Sequence, residues 1–179
     1  MLNKLSIWEI SGFIFVIIIG TILHFVYGWS GKKRMVGFFS PVNESTWEHL
    51  KLLFTPMLIF SLVEYFSVGQ SFQSFIPAKV MGLFLGLLAI VASFYTYTGI
   101  IGAHFLWADI LTFIFGVAVA FGYSWSFILN HQASNNEFNL VGIIFACLLL
   151  ISFAVFTIRP PKISLFLDPV TKTYGRQSL

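Results

Sequence analysis

Charge is what this chain has least of. Only 9% of its 179 residues are Asp, Glu, Lys or Arg, against about 25% in an average soluble domain. Hydrophobic residues make up 58%, so too few polar side chains remain to coat a soluble globule of this size. That excludes a soluble enzyme or a nucleic-acid module and leaves a membrane protein. Cysteine is nearly missing too. Cys147, inside an apolar run, is the single thiol, so no intrachain disulfide can form. There is no phosphate loop, nucleophile elbow, zinc-protease HExxH or reversed HxxEH, and no internal repeat.

What is there is length without charge. Five segments can cross about 30 Å of hydrocarbon: Ile7–Tyr27, Thr46–Phe66, Lys79–Thr98, Phe105–Leu129 and Leu140–Ile158. Each must be helical, because lipid offers no partner for free backbone groups. The expected fold is therefore all-α, a polytopic bundle over residues 1–158 followed by a tail at 159–179. The first segment resembles a signal peptide, but its apolar core is too long and no small-x-small cleavage site follows, so it reads as a retained span. Lys32, Lys33 and Arg34 follow span one, and Arg159, Lys162, Lys172 and Arg176 follow span five. Both basic clusters lie on one side of a five-span chain. The positive-inside rule puts that side in the cytoplasm and the N-terminus outside, in a cell membrane.

Small residues form stripes at helical spacing. Gly82, Gly86, Ala89, Ser93 and Thr96 lie on span three, and Asp109, Thr112, Gly116, Ala120 and Tyr123 on span four. They predict a closely packed antiparallel hairpin turning at "TGIIGAH". Pro56 should kink span two. Two prolines in "RPPK" end span five, and the tail should lie along the inner surface, over the polar residues there.

Those polar residues are the candidates for function, because ionisable groups at membrane depth are costly unless paired or hydrated. Ser40–Lys51, "SPVNESTWEHLK", holds most of them. Ser45 and Glu48 fit a capping box, in which the serine caps the Glu48 amide and Glu48 returns to the serine amide. Glu44 and Glu48, four apart, should repel unless a cation or proton sits between them. Capping does not explain Glu44, His49 or Lys51. At the same depth lie His24, Tyr27, Tyr97, His104, Asp109 and Arg159. Glu44, Glu48, His49 and Asp109 are the candidate acid–base residues. His24, His49, His104 and Asp109 are candidate ligands for a divalent metal, and a haem-binding version would need two facing histidines, His24 and His104. His24, Tyr27, Tyr97 and Arg159 are candidate substrate contacts. At the other end, Glu64 is expected to snorkel to the outer interface.

Three functions follow. An intramembrane enzyme would use the inner polar residues on a lipid-like substrate. A transporter would run a polar path past Asp109, Pro56 and Glu64. A non-catalytic subunit or ligand-binding protein would use the same groups as caps and interhelical bonds. The bilayer is the partner in every case, with a lipid or small apolar ligand and a homo-oligomer open, and no nucleic acid.

The blocks "SPVNESTWEHLKLLFTP", "EYF", "FYTYTGI" and "PPKISLFLDPVTKTYG" resemble a family of small prokaryotic integral membrane proteins of unknown function. The resemblance covers nearly the whole chain. It implies a family and a topology and carries no residue's role with it.

Overall fold

The computed structural model describes residues 2–131 and 136–176. Residues 132–135 of the asparagine-rich loop and the last three residues of the tail lie outside them. Five helices are long and apolar enough to cross a membrane: α1 (Leu2–Trp29), α2 (Thr46–Ser67), α3 (Phe75–Ile101), α4 (Leu106–Asn130) and α5 (Asn136–Ile158). The fold class is as the sequence predicts. Four of the helices overrun their expected apolar segments, because a helix continues into the polar rim until a cap or breaker stops it, and α4 is displaced by one residue. For α3 that stop is Gly102, in the left-handed region at φ 76°, whose amide bonds the Thr98 carbonyl. Only residues 102–105 then separate α3 from α4.

The hairpin is as close as its small residues allow. A Cβ on Gly82 would stand 2.4 Å from the Ala120 carbonyl oxygen, and one on Gly86 2.7 Å from that of Gly116. No side chain fits either place, so glycine sets the interhelical distance. The end of the predicted stripe nearest the α3–α4 turn behaves differently: Thr96 is exposed. α1 packs chiefly on α2 and also on α4, while α5 leans on α3. α2 is the most enclosed span and α5 the least. The core joins Val16 of α1, Leu53 and Met57 of α2, Leu83 and Leu87 of α3, Val117, Ala120 and Phe121 of α4 and Phe153 of α5, so all five helices contribute. Outward, α1 shows Ile7, Ile10, Ile14, Ile18, Ile22 and Phe25 as one exposed apolar stripe, the side a bilayer would cover.

Pro56 lies within an unbroken helical run from Lys51 to Ser67, and the local irregularity falls earlier, at Leu50. Proline removes the bond that the Leu52 carbonyl would accept. Gly20 of α1 comes up against that carbonyl, and a Cβ there would be 2.5 Å from it.

The helices run alternately, so the last turns of α1, α3 and α5 meet the first turns of α2 and α4 at one end. The tail folds back over this end. Trp47 stacks with Phe153 (ring centroids 4.7 Å apart) and with Phe166 (4.9 Å). The Arg176 amide bonds the Thr157 carbonyl at 3.1 Å, and its Nε donates to the Tyr27 hydroxyl at 3.0 Å. Asp168, 3% exposed, closes the tail's turn by accepting from the Val170 and Thr171 amides.

Candidate functional site

The chain from Ser40 to Lys51 makes two sharply different environments within one helical turn. Ser45 has extended backbone and its hydroxyl accepts from the Glu48 amide at 3.3 Å, which starts α2. The reciprocal half of the capping box does not form, because the Asn43 side chain takes the Ser45 amide at 2.9 Å. The freed Glu48 carboxylate turns inward. Its Oε2 accepts from the Val42 amide at 2.9 Å and from Lys51 Nζ at 2.6 Å, and its Oε1 faces the Thr157 hydroxyl at 3.0 Å. Lys51, fully buried, gives its other protons to the Gly37 carbonyl (2.7 Å) and Thr157 (2.6 Å). One carboxylate and one ammonium thus cancel, with every lysine proton placed. Glu48 is 2% exposed and turned into this cluster, away from any substrate.

Glu44 and His49 face the other way. The expected repulsion between Glu44 and Glu48 is absent because each carboxylate has its own cation or donor. His49 Nε2 lies 3.4 Å from Glu44 Oε2. That contact holds the Glu44 carboxyl below the ordinary carboxylate range, although burial works against it. His49 Nδ1 is 2.9 Å from the Ser45 carbonyl, which can only accept, so Nδ1 carries the hydrogen. Nε2 can then carry the second proton and hold the Glu44 carboxylate, or give that proton up and offer its lone pair to a metal in the same direction. Backbone anchoring of the far nitrogen is how proteins orient a ligating histidine.

His24 of α1 completes a group of three. Its ring centroid is 5.2 Å from that of His49, and one ligand atom each from His24, Glu44 and His49 lie within 4.8 Å of one another. Tetrahedral ligands at about 2.0–2.2 Å from zinc sit roughly 3.4 Å apart, so side-chain rotations of about an ångström would close the set on an ion. Next to it is a cavity of about 330 Å³, lined by His24, Tyr27, Trp29, Pro41, Asn43 and Glu44 among others. Tail contacts frame it: Asn43 Nδ2 donates to the Gly175 carbonyl at 3.0 Å. Asp168, whose burial would raise its carboxyl, is held lower by the Thr171 and Val170 amides, with the Glu44 amide adding to them.

The remaining sequence candidates gather elsewhere. Tyr97 donates to Asp109 Oδ1, and His104 Nδ1 lies 3.3 Å from Asp109 Oδ2, a pairing at the α3–α4 turn that does not include His24 or Glu44. Asp109 is near enough to His49 for their charges to interact. Tyr27 is buried and held by Arg176, and Arg159 is exposed. The structure therefore brings together two of the four metal candidates, His24 and His49, with Glu44, and sets His104 and Asp109 apart as a second pair.

One expectation fails at the opposite end. Glu64 does not snorkel; it is 0% exposed. Lys79 Nζ stands 2.7 Å from Glu64 Oε2 and 2.8 Å from Glu9 Oε2, and Ser124 donates to Glu9 Oε1 at 3.1 Å. Pairing across three helices outweighs the short path to the surface. The signal in the sequence was two acids and a lysine at one depth in an otherwise uncharged region.

The pattern of one protein family, described as a family of unknown function (DUF6512), matches residues 1–176. No curated protein and no solved structure matches the chain.

Proposed function

The chain belongs to this family of unknown function, and we propose from its geometry that it is a membrane metalloenzyme holding a divalent transition metal between His24, Glu44 and His49. The observation that carries this reading is the convergence of those three ligand atoms within 4.8 Å beside an open cavity. Two imidazoles and a carboxylate are a ligand set typical of catalytic zinc, which leaves a coordination position for substrate or water. A metal held by these three side chains would supply Lewis-acid polarisation and an activated water. Hydrolysis is the reaction class that uses both: the elements of water add across an ester or phosphoester bond, hydroxyl to the acyl or phosphoryl centre and proton to the leaving oxygen.

The surroundings favour an amphiphilic substrate. On one side of the cavity stand Glu44 and the Asn43 amide. On the other, Phe25 and Trp29, 50% and 72% exposed, continue the apolar outer stripe of α1. A lipid-like molecule would lie along that stripe with its polar head at the metal. By the placement of Lys32, Lys33 and Arg34 and of the basic tail, this end faces the cytoplasm of a cell membrane.

Metal analysis of the purified protein tests the proposal. After loading with zinc and removal of excess, the wild type should retain one ion per chain. His24→Ala and His49→Ala should each weaken retention by 10-fold to 100-fold or more, and Asp109→Asn should not. A wild type that retains no zinc, iron or manganese, or equal retention in both histidine variants, overturns it.

A further inference from the structure

The second buried ion cluster has unequal charges. Glu9 of α1, Glu64 of α2 and Lys79 of α3 come together, with Ser124 of α4 as a neutral donor. Among the described residues they are the buried charged side chains of this end, at 1%, 0% and 4% exposure. Two carboxylates and one ammonium leave one negative charge when all three are ionised. A net charge enclosed by apolar helices is disfavoured by several kcal/mol, so a counter-charge is required.

The geometry says where it goes. Lys79 stays the cation, since it stands between both acids and over the rings of Phe75 and Phe121, 5.3 and 5.0 Å from their centroids. Glu9 is served as a carboxylate on both oxygens, by Lys79 on Oε2 and Ser124 on Oε1. Glu64 is not: both its oxygens are buried without a hydrogen-bond partner, and only Oε2 stands beside the ammonium, 2.7 Å from Lys79 Nζ. A metal cation is unsuited here, because the ammonium already occupies the space between the acids and would repel it. A proton adds no bulk and brings no charge beyond the one missing.

We propose that Glu9, Glu64 and Lys79 form a proton-binding site that holds one exchangeable proton, carried on Glu64. This is a second site, independent of the metal reading and at the opposite end of α2. On the α1–α4 side a cavity of about 200 Å³, lined by Glu9 among apolar residues that include Ile10, Phe121 and Trp125, reaches the cluster from the apolar flank of the bundle. Trp125 Nε1, Ser61 Oγ and Ser74 Oγ are buried near this end without partners, and polar groups of that kind can relay a proton. The site would let the bundle take up and release a proton as part of its working cycle.

Infrared spectroscopy of the full chain in lipid nanodiscs tests this by counting protonated carboxyls. The wild type at neutral pH should show one such band per chain from a buried acid, shifted in heavy water and lost at alkaline pH while the protein stays folded. Glu64→Gln should abolish it. Glu9→Gln should abolish it as well, because the remaining acid then balances Lys79. Lys79→Met should raise the count to two. Absence of the band in the folded wild type overturns the proposal, and this measurement needs no variant to fold. So does a band that survives in both glutamine variants, one that persists to alkaline unfolding, or one that responds to sodium at fixed pH.

Discussion

The two buried ion clusters, at opposite ends of α2, contain the same residue types and differ by one carboxylate. At the tail end Glu48 meets Lys51 one to one, and Thr157, Val42 and Gly37 take every remaining bond. At the other end Lys79 is shared between Glu9 and Glu64, and one oxygen of Glu64 has no partner. A closed, neutral cluster is a fastener: it joins α2 to α5 and to the connection after α1 and has nothing left to exchange. An unbalanced one needs an ion or proton from outside. Burial and proximity are alike in both, so charge balance alone separates structure from candidate function.

The largest effect is expected from unbalancing the fastener. Lys51→Met keeps the bulk and strands the Glu48 carboxylate with amide and hydroxyl donors but no cation. Removing one partner of a buried pair costs about 3–5 kcal/mol, so reversible unfolding in mixed micelles should show a loss of that size. The tail, whose Arg176 amide rests on the Thr157 carbonyl, should become accessible to protease at the same time.

Thr157→Val removes the hydroxyl and keeps the charges and shape. One Lys51 proton and the Glu48 Oε1 then lose their shared partner. A stranded buried polar group costs about 1–3 kcal/mol, so the same unfolding assay should place this variant between Lys51→Met and the wild type.

The sequence shows one of these clusters better than the other, and for a physical reason. Ser45 and Glu48 stand three apart, and that spacing announces a helix start; the start is real. But the predicted return of Glu48 to the serine amide assumes that nothing else reaches that amide, and Asn43 does. Local spacing carried no information about Thr157, 106 residues away from Lys51. The five spans and the glycine-spaced hairpin were legible because each depends on composition and helical period within one segment. Depth was legible as well, which is why His24, Glu44 and His49 stood together as candidates. Rotation about the helix axis was not, so His104 and Asp109 entered the same list although they pair with each other at the α3–α4 turn. Glu64 was misplaced for the same reason: the distance to the surface was readable, and the lysine beside it on another helix was not.

Acid should loosen the site end weakly. The His49 contact holds the Glu44 carboxyl below the ordinary carboxylate range. Its contribution is therefore fully present above that range and is lost as pH falls through the lowered value. Glu44 and His49 are 49% and 31% exposed, so solvent screening limits the effect to less than about 1 kcal/mol. Stability of Glu44→Gln and wild type should differ at neutral pH and converge in acid. A difference that stays constant with pH would show that the Glu44–His49 contact contributes no charge.

The smallest effect is the sharpest. Glu48→Gln and Glu64→Gln are the same chemical change at the two ends of α2, and both leave the side-chain shape intact. At the tail end the change strands Lys51 and should cost about 3 kcal/mol or more. At the other end it removes the carboxylate that exceeds the charge of Lys79, and Glu9 and Lys79 remain as a balanced pair with Ser124. The new amide oxygen can still accept from Lys79. Its nitrogen, placed where Oε1 had no partner, costs about 1 kcal/mol at most, because it replaces a polar atom that was already unpaired. Glu64→Gln should therefore unfold within about 1 kcal/mol of the wild type at neutral pH, in the assay where Glu48→Gln is strongly destabilised. Equal losses in the two variants would mean that Glu64, like Glu48, carries a paired charge, and the two ends would then be two fasteners of one kind.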